Sequence, residues 1–207
     1  MPSRQDKSST TSHSRGRPRE FDMDKALGKA VRVFCERGYH ATSISDLTSA
    51  MELASGSVYK AFKDKRAVFL AAFDHYKAER DTQLHNAIEQ GKSGRERLHN
   101  ALVFFAESSS GAQGQLGCLV ISGAADLSTF DAEISQRVTG ALTRSETMLK
   151  RLIIEGQADS SISSELNSQD VARLMLCVLQ GMRVIGKTGR DKQDMKAVAD
   201  AAMKCLR

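Results

Sequence analysis

Between Thr42 and Lys65 the chain gathers hydroxyl, small and basic side chains at short spacing: Thr42, Ser43, Ser55, Gly56, Ser57, Tyr59, Lys60, Lys63 and Lys65, with Arg66 next in line. Such groups do no covalent chemistry by themselves. They hydrogen-bond and neutralise phosphate oxygens, and small residues on an outer helix face let it approach base edges. An N-cap hydroxyl and free N–H groups at Thr42 and Ser43 suit a phosphate. Upstream, Arg15-Gly16-Arg17-Pro18-Arg19 is a basic run whose Arg17 and Arg19 could enter a minor groove. Residues 1–14 read equally well as a solvated tail.

A second motif points to different chemistry. Gly181 to Thr188 satisfies the phosphate-loop pattern G-x-x-x-x-G-K-[ST], which would make the chain a nucleotide-binding enzyme. That loop needs a preceding strand and small interior residues so that backbone N–H groups converge. Here Met182, Arg183, Val184 and Ile185 fill it, the run before it has helical spacing, and too little chain follows for a parallel sheet. An apolar helix ending at Gly186 accounts for the residues better. No other constellation of catalytic residues is present, so no enzyme, cofactor or metal is expected. His75, His85 and Cys118 would be the metal ligands if they met in space, but scattered His on helix surfaces explains them. Cys118 near a helix start would gain thiolate character as a thiol sensor, although a small core residue is the simpler reading.

Charge sharpens the first signal. Of the net +5 over 207 residues, all of it lies in residues 1–66, with 13 Lys/Arg against 8 Asp/Glu; the remainder holds 17 of each. No apolar stretch reaches the eighteen or so residues that span a bilayer, so no membrane partner is expected. The four Cys have no CxxC pair, which suits free thiols in a reducing compartment, and the N-terminus lacks an apolar signal region. The expected location is the cytoplasm.

Positioning these groups falls to helices. No proline follows Pro18, and runs of period two are missing. Leu27, Ala30, Val31 and Phe34 predict a helix over 22–37 closed by Gly38. Thr42 or Ser43 caps a short second helix with Ile44, Leu47, Ala50 and Met51; a third carries Val58 and Phe62; a fourth runs from Asp64 to about Ile88. Further apolar periods predict helices around 98–105, 119–127, 131–155, 171–185 and 195–206, with a loop at 108–117. The fold class is all-α, about nine helices and no strand. Two short helices joined by a turn and packed on a longer one are the layout of a helix-turn-helix reader.

At these residues the sequence resembles the tetracycline-repressor (TetR) family of bacterial transcription regulators. Thr42-Ser43-Ile44-Ser45-Asp46-Leu47 is similar to its T-x-x-D-[IL] entry to the second helix, with Ser43 in register with the Thr, and Ser55 to Lys65 matches G-x-[LIV]-Y-x-x-F-x-[SND]-K. Phe34 to Gly38 matches the F-x-x-x-G that closes the first helix, and Gly117-Cys118-Leu119 is similar to the G-C-L opening a later helix in one branch. The chain departs from the family in the turn, where Met51-Glu52-Leu53 stands for Ala-Gly-Val. A non-Gly residue in a left-handed position costs on the order of 1 kcal/mol, a tolerable amount.

The resemblance implies a tail over 1–16, a DNA-binding domain over 17–66 and a ligand-binding and dimerisation domain over 67–207. It implies a repressor that binds a palindromic double-stranded operator as a homodimer and is released by a small-molecule effector. Phe73, Tyr76, Phe104, Phe105, Cys118, Met148, Leu152 and Met175 are the candidate pocket residues, and their apolar character suggests an apolar effector. Val171, Leu174, Val178, Met182, Met195, Val198, Ala202 and Leu206 are the candidate dimer face; the 171–185 run has more apolar positions than one buried face needs. A nonspecific architectural DNA-binding protein is the alternative.

Overall fold

The computed structural model describes residues 22–125 and 131–206. The basic arm with Arg17 and Arg19, the tail 1–16 and the last residues of the 119–127 helix lie outside them. Among the described residues the chain is helical throughout: α1 (Met23–Arg37), α2 (Ile44–Met51), α3 (Ser55–Ala61), α4 (Lys65–Ile88), α5 (Gly94–Ser108), α6 (Gly111–Leu116), α7 (Leu119–Ala125), α8 (Ala132–Ala158), α9 (Ser168–Gly186) and α10 (Lys192–Lys204). All nine expected helices are present. The tenth, α6, occupies the stretch expected as a loop. Its glycines serve packing: a Cβ at Gly114 would lie 2.4 Å from the Ser109 carbonyl oxygen and 3.1 Å from that of Gly186, so only glycine lets α6 meet the end of α9.

Side-chain caps mark most helix starts. Asp22 accepts from the Lys25 N–H, Asp64 from Ala67, Asp131 from Glu133 and Ile134, and Asp191 from Asp194. These carboxylates satisfy otherwise orphaned donors and face the positive helix end.

Two apolar cores stack along the molecule. The first joins Phe34, Leu47, Val58, Phe69 and Phe73 of α1–α4 to Leu119 of α7 and to Ile134 and Val138 of α8. The second joins Leu84 and Ile88 of α4 to Leu98, Leu102, Leu149, Leu152, Met175, Leu179 and Met195. Only α4 and α8 contribute buried residues to both. At 24 residues, α4 is a rod of about 36 Å. Phe34 meets Phe69 edge-on at 5.1 Å, and the Tyr39 ring, stacked on Phe34 at 6.2 Å, also meets Phe69 at 5.1 Å. The aromatic cluster therefore locks α1 and the α1–α2 connection onto α4. Truncating Phe69 to Ala would cost about 3–5 kcal/mol.

Candidate nucleic-acid interface

α3 is held by one side and open on the other. Val58 is fully buried and Phe62, just past the helix end, nearly so, whereas Ser55, Gly56, Tyr59 and Lys60 face solvent and Ser57 is half-buried. Tyr59 is 56% exposed, unusual for an aromatic side chain unless it has something to meet. Lys60 and, just beyond the helix, Lys63 are exposed, and neither joins an ion pair among the described residues.

α2 braces this helix. Ser43 is its N-cap, and the capping box is complete: the Asp46 N–H donates to Ser43 Oγ at 3.1 Å while the Ser43 N–H donates to Asp46 Oδ2 at 2.9 Å. The Ser43 N–H and hydroxyl, both donating to Oδ2, with Arg37 Nη1 2.7 Å from Oδ1, hold the Asp46 carboxyl below the usual carboxylate range. Ser43 remains on the surface. The turn into α3 passes through Glu52 at φ 57°, ψ 38°, the left-handed conformation required where the family has glycine.

Two residues of the predicted set are placed differently. Thr42 is buried, and its hydroxyl donates to the Gly38 carbonyl at 2.7 Å, tying the end of α1 to the start of α2. The Lys65 ammonium donates to the carbonyls of Tyr39 and Thr42 at 3.0 and 2.9 Å and lies over the Tyr39 ring. Both hold the α1–α2 connection against α4; neither side chain is turned toward solvent. Arg66 is also engaged, with Asp131 and Glu133 at the start of α8. Sequence alone showed these as basic and hydroxyl groups; their partners come from packing.

The predicted pocket residues separate into four places. Phe73 is fully buried in the first core, and Leu152 and Met175 in the second. Met148 lines a cavity of about 190 Å³ between α4 and α8 with Lys77, Leu84, His85 and Arg144. Tyr76 and Cys118 come together, the tyrosine hydroxyl 3.3 Å from Sγ, with Phe104 and Phe105 alongside through Arg80 and Arg183. Sequence reasoning missed those two arginines. An arginine between Met182 and Val184 in an apolar helix was the available signal.

Of the predicted dimer face, Leu174 and Val198 are exposed, and Val171 and Val178 half-buried. Met182, Met195, Ala202 and Leu206 are buried in the chain's own second core. The reading had overlooked Val184 and Ile185, each about half exposed. Val178, Gly181, Ile185 and Val198 border a groove of about 450 Å³ floored by Met182 and Met195. Residues 181–186 are the last turns of α9, where helical N–H groups point along the axis into preceding carbonyls and cannot converge on a phosphate. Among the described residues no helix is long and apolar enough to cross a membrane, and no group of three or more His, Cys, Asp or Glu could hold a metal ion.

Comparison with known proteins agrees with this geometry. Residues 26–72 match the profile of "Bacterial regulatory proteins, tetR family", and residues 94–202 that of "Tetracyclin repressor-like, C-terminal domain". The HTH-type transcriptional repressor ComR of Escherichia coli K12 is 28% identical, covering 92% of this chain and 91% of its own. The HTH-type transcriptional repressor DhaR of Mycobacterium sp. GP1 is 26% identical over 81% and 83%. Among solved structures, a cysteine mutant of the TetR family transcriptional regulator CifR, complexed with 26 bp double-strand operator DNA, superposes with TM-score 0.81 at 28% identity, over 93% of this chain and all of that one. With a reading helix anchored by Val58, a braced turn at Glu52 and a helical body matched over most of its length, the chain belongs to the tetR family of bacterial regulatory proteins.

Proposed function

We propose that the protein is a repressor that binds a two-fold operator as a homodimer, through α3, and leaves it when a small effector enters the α4–α9 body. The observation that carries the reading is the exposed face of α3, where Ser55, Gly56, Tyr59 and Lys60 point outward from a helix fixed by buried Val58. Ser43 and Lys63 flank it as phosphate contacts, Ser57 lies at its edge, and Arg17 and Arg19 are placed in sequence to add a minor-groove arm. Dimerisation is supported by the exposed Leu174, Val184, Ile185 and Val198 around the α9–α10 groove, an apolar surface that a monomer would leave in water. CifR's complex with operator DNA supports the target. Because bacterial DNA lies in the cytoplasm, that is where the protein acts.

Coupling follows from α4. Its first turn packs with the reading head and its last with the second core, so a shift around Tyr76 alters the spacing of the two α3 helices in a dimer. The test is a gel shift with DNA flanking the protein's own gene, against unrelated DNA of equal length, at several salt concentrations. Preference for the flanking DNA is expected. Equal affinity for both would mean a nonspecific DNA-coating protein instead.

A further inference from the structure

Arg183 of α9 is only 4% exposed, yet no carboxylate approaches it among the described residues. Its Nη1 donates to the Ser108 carbonyl at 2.5 Å and its Nη2 to the Tyr76 hydroxyl at 2.9 Å, while Nε has no partner. Arg80 of α4 reaches the same residue: Nη2 donates to Ser108 Oγ at 2.7 Å, and the guanidinium lies 4.3 Å from the Phe104 ring centre. Its Nη1 donates to Gln83 Oε1 at 3.4 Å, and among the described residues it joins no ion pair. Two permanent cations therefore converge on one serine, and Ser109 Oγ beside it is buried without a partner. Burial first and then the neighbouring Arg183 push the Arg80 pKa down, whereas Cys118 and Tyr76 raise that of Arg183 against its burial.

One internal group can offset part of this. Arg183 can only donate, so the Tyr76 oxygen accepts from it and turns its own proton toward Cys118, 3.3 Å away. The sulfur is thus an acceptor. Burial opposes its ionisation, but Arg183, the Tyr76 hydroxyl and the Ile121 and Val120 N–H groups together outweigh burial and hold the thiol below its ordinary range. A Cys118 thiolate supplies at most one negative charge against two positive ones. The cluster remains an anion short.

We propose that Arg80 and Arg183 form the anion-binding end of the effector site, and that the effector is a small organic carboxylate with an aromatic or unsaturated body. This rests on the reading of the protein as an effector-released repressor and replaces the apolar effector expected from sequence. A carboxylate matches the guanidinium fork with two parallel hydrogen bonds. The Phe104 and Phe105 rings, edge-on to one another at 5.8 Å and half-buried, offer flat apolar surface for the body. Tyr76, Arg80, Phe104 and Phe105 are the partly exposed members of the cluster, and entry is along the Arg80–Phe104 edge. A ligand arriving there takes Arg80 from Ser108 and engages Arg183, so it pulls α4 relative to α9, which is the motion release requires.

The experiment measures release of the full chain from its operator by millimolar benzoate, cinnamate and sorbate, with benzamide and inorganic phosphate as controls. Release by at least one carboxylate, and not by benzamide or phosphate, is expected. Arg183→Lys, which keeps the charge and loses the fork, should raise the required concentration about tenfold. Arg80→Gln should raise it likewise. Equal release by benzamide, silence of all three carboxylates, or release by N-ethylmaleimide alone through Cys118 would overturn the proposal. Absence of operator binding before any ligand is added would instead sink the regulator reading, so the two failures are distinguishable.

Discussion

Arg66 and Asp131 face each other across 65 positions of sequence in a two-pronged ion pair, with Nε 2.5 Å from Oδ2 and Nη2 3.3 Å from Oδ1. Arg66 stands in the first turn of α4, next to the reading head, and Asp131 caps α8, whose length serves both cores. Glu133 joins the same guanidinium, and Arg137 links Glu133 to Asp74 two turns further along α4. The DNA-reading head is therefore clamped to the body by charge as well as by the Phe34–Phe69 contact.

Asp131→Asn keeps the helix cap and removes the charge. The Asp131 carboxyl is held below its ordinary value first by Arg66 and then by the Ile134 N–H. A depressed folded pKa stabilises above the unfolded value of about 3.9 and loses that contribution as pH falls through the folded value. Urea midpoints measured from about pH 6 down to pH 3 should fall steeply in the wild type and less steeply in Asp131→Asn. Parallel curves would show that the pair adds nothing to acid stability.

Glu52→Gly should raise the thermal midpoint by about 2–4 °C, because glycine adopts φ 57° without the Cβ penalty. The ion pair it sacrifices, to Lys29 at 2.8 Å, is a surface one with Glu52 79% exposed, and contributes little. Calorimetry showing a lower midpoint would mean that the turn is not strained.

Tyr59→Ala and Lys63→Ala should leave stability unchanged, since both side chains are exposed. Tyr59→Ala should weaken operator binding about tenfold or more. Lys63→Ala should weaken all DNA binding uniformly and reduce the salt slope by about one. Anisotropy titrations on operator and unrelated DNA separate the two effects.

Leu174→Glu places a charge on the exposed α9 face without touching the core. Sedimentation should show a dimer in the wild type and a monomer in the variant, with operator affinity lost alongside. Cys177, exposed in the single chain and on the same face, should react with iodoacetamide in the variant and be protected in the wild type. Cys35, buried and with its thiol pushed up to about 12, should react in neither until the chain unfolds.

Sequence reached as far as local rules reach. The Val58–Phe62 period and the Tyr59–Lys60 outer face were legible because each follows from spacing within one or two turns, and the strained residue at Glu52 was legible only through the resemblance to the family. Ser43 rather than Thr42 as the cap was left open, since both hydroxyls satisfy the rule and only the Thr42–Gly38 bond decides. Gly114 read as a loop residue because its contact, Gly186, is 72 positions away. The Arg80–Arg183 meeting at Ser108 and the Arg66–Asp131 clamp were invisible for the same reason. Helix packing sets those partners, and periodicity does not specify which helices touch.

The most direct test is a hydroxyl-radical footprint of the purified protein on DNA flanking its own gene. The account predicts two protected half-sites related by a two-fold axis and centred one helical turn, or a multiple of it, apart, with protection lost in Leu174→Glu and Tyr59→Ala. Continuous protection without half-sites, or protection unchanged by Tyr59→Ala, would contradict it.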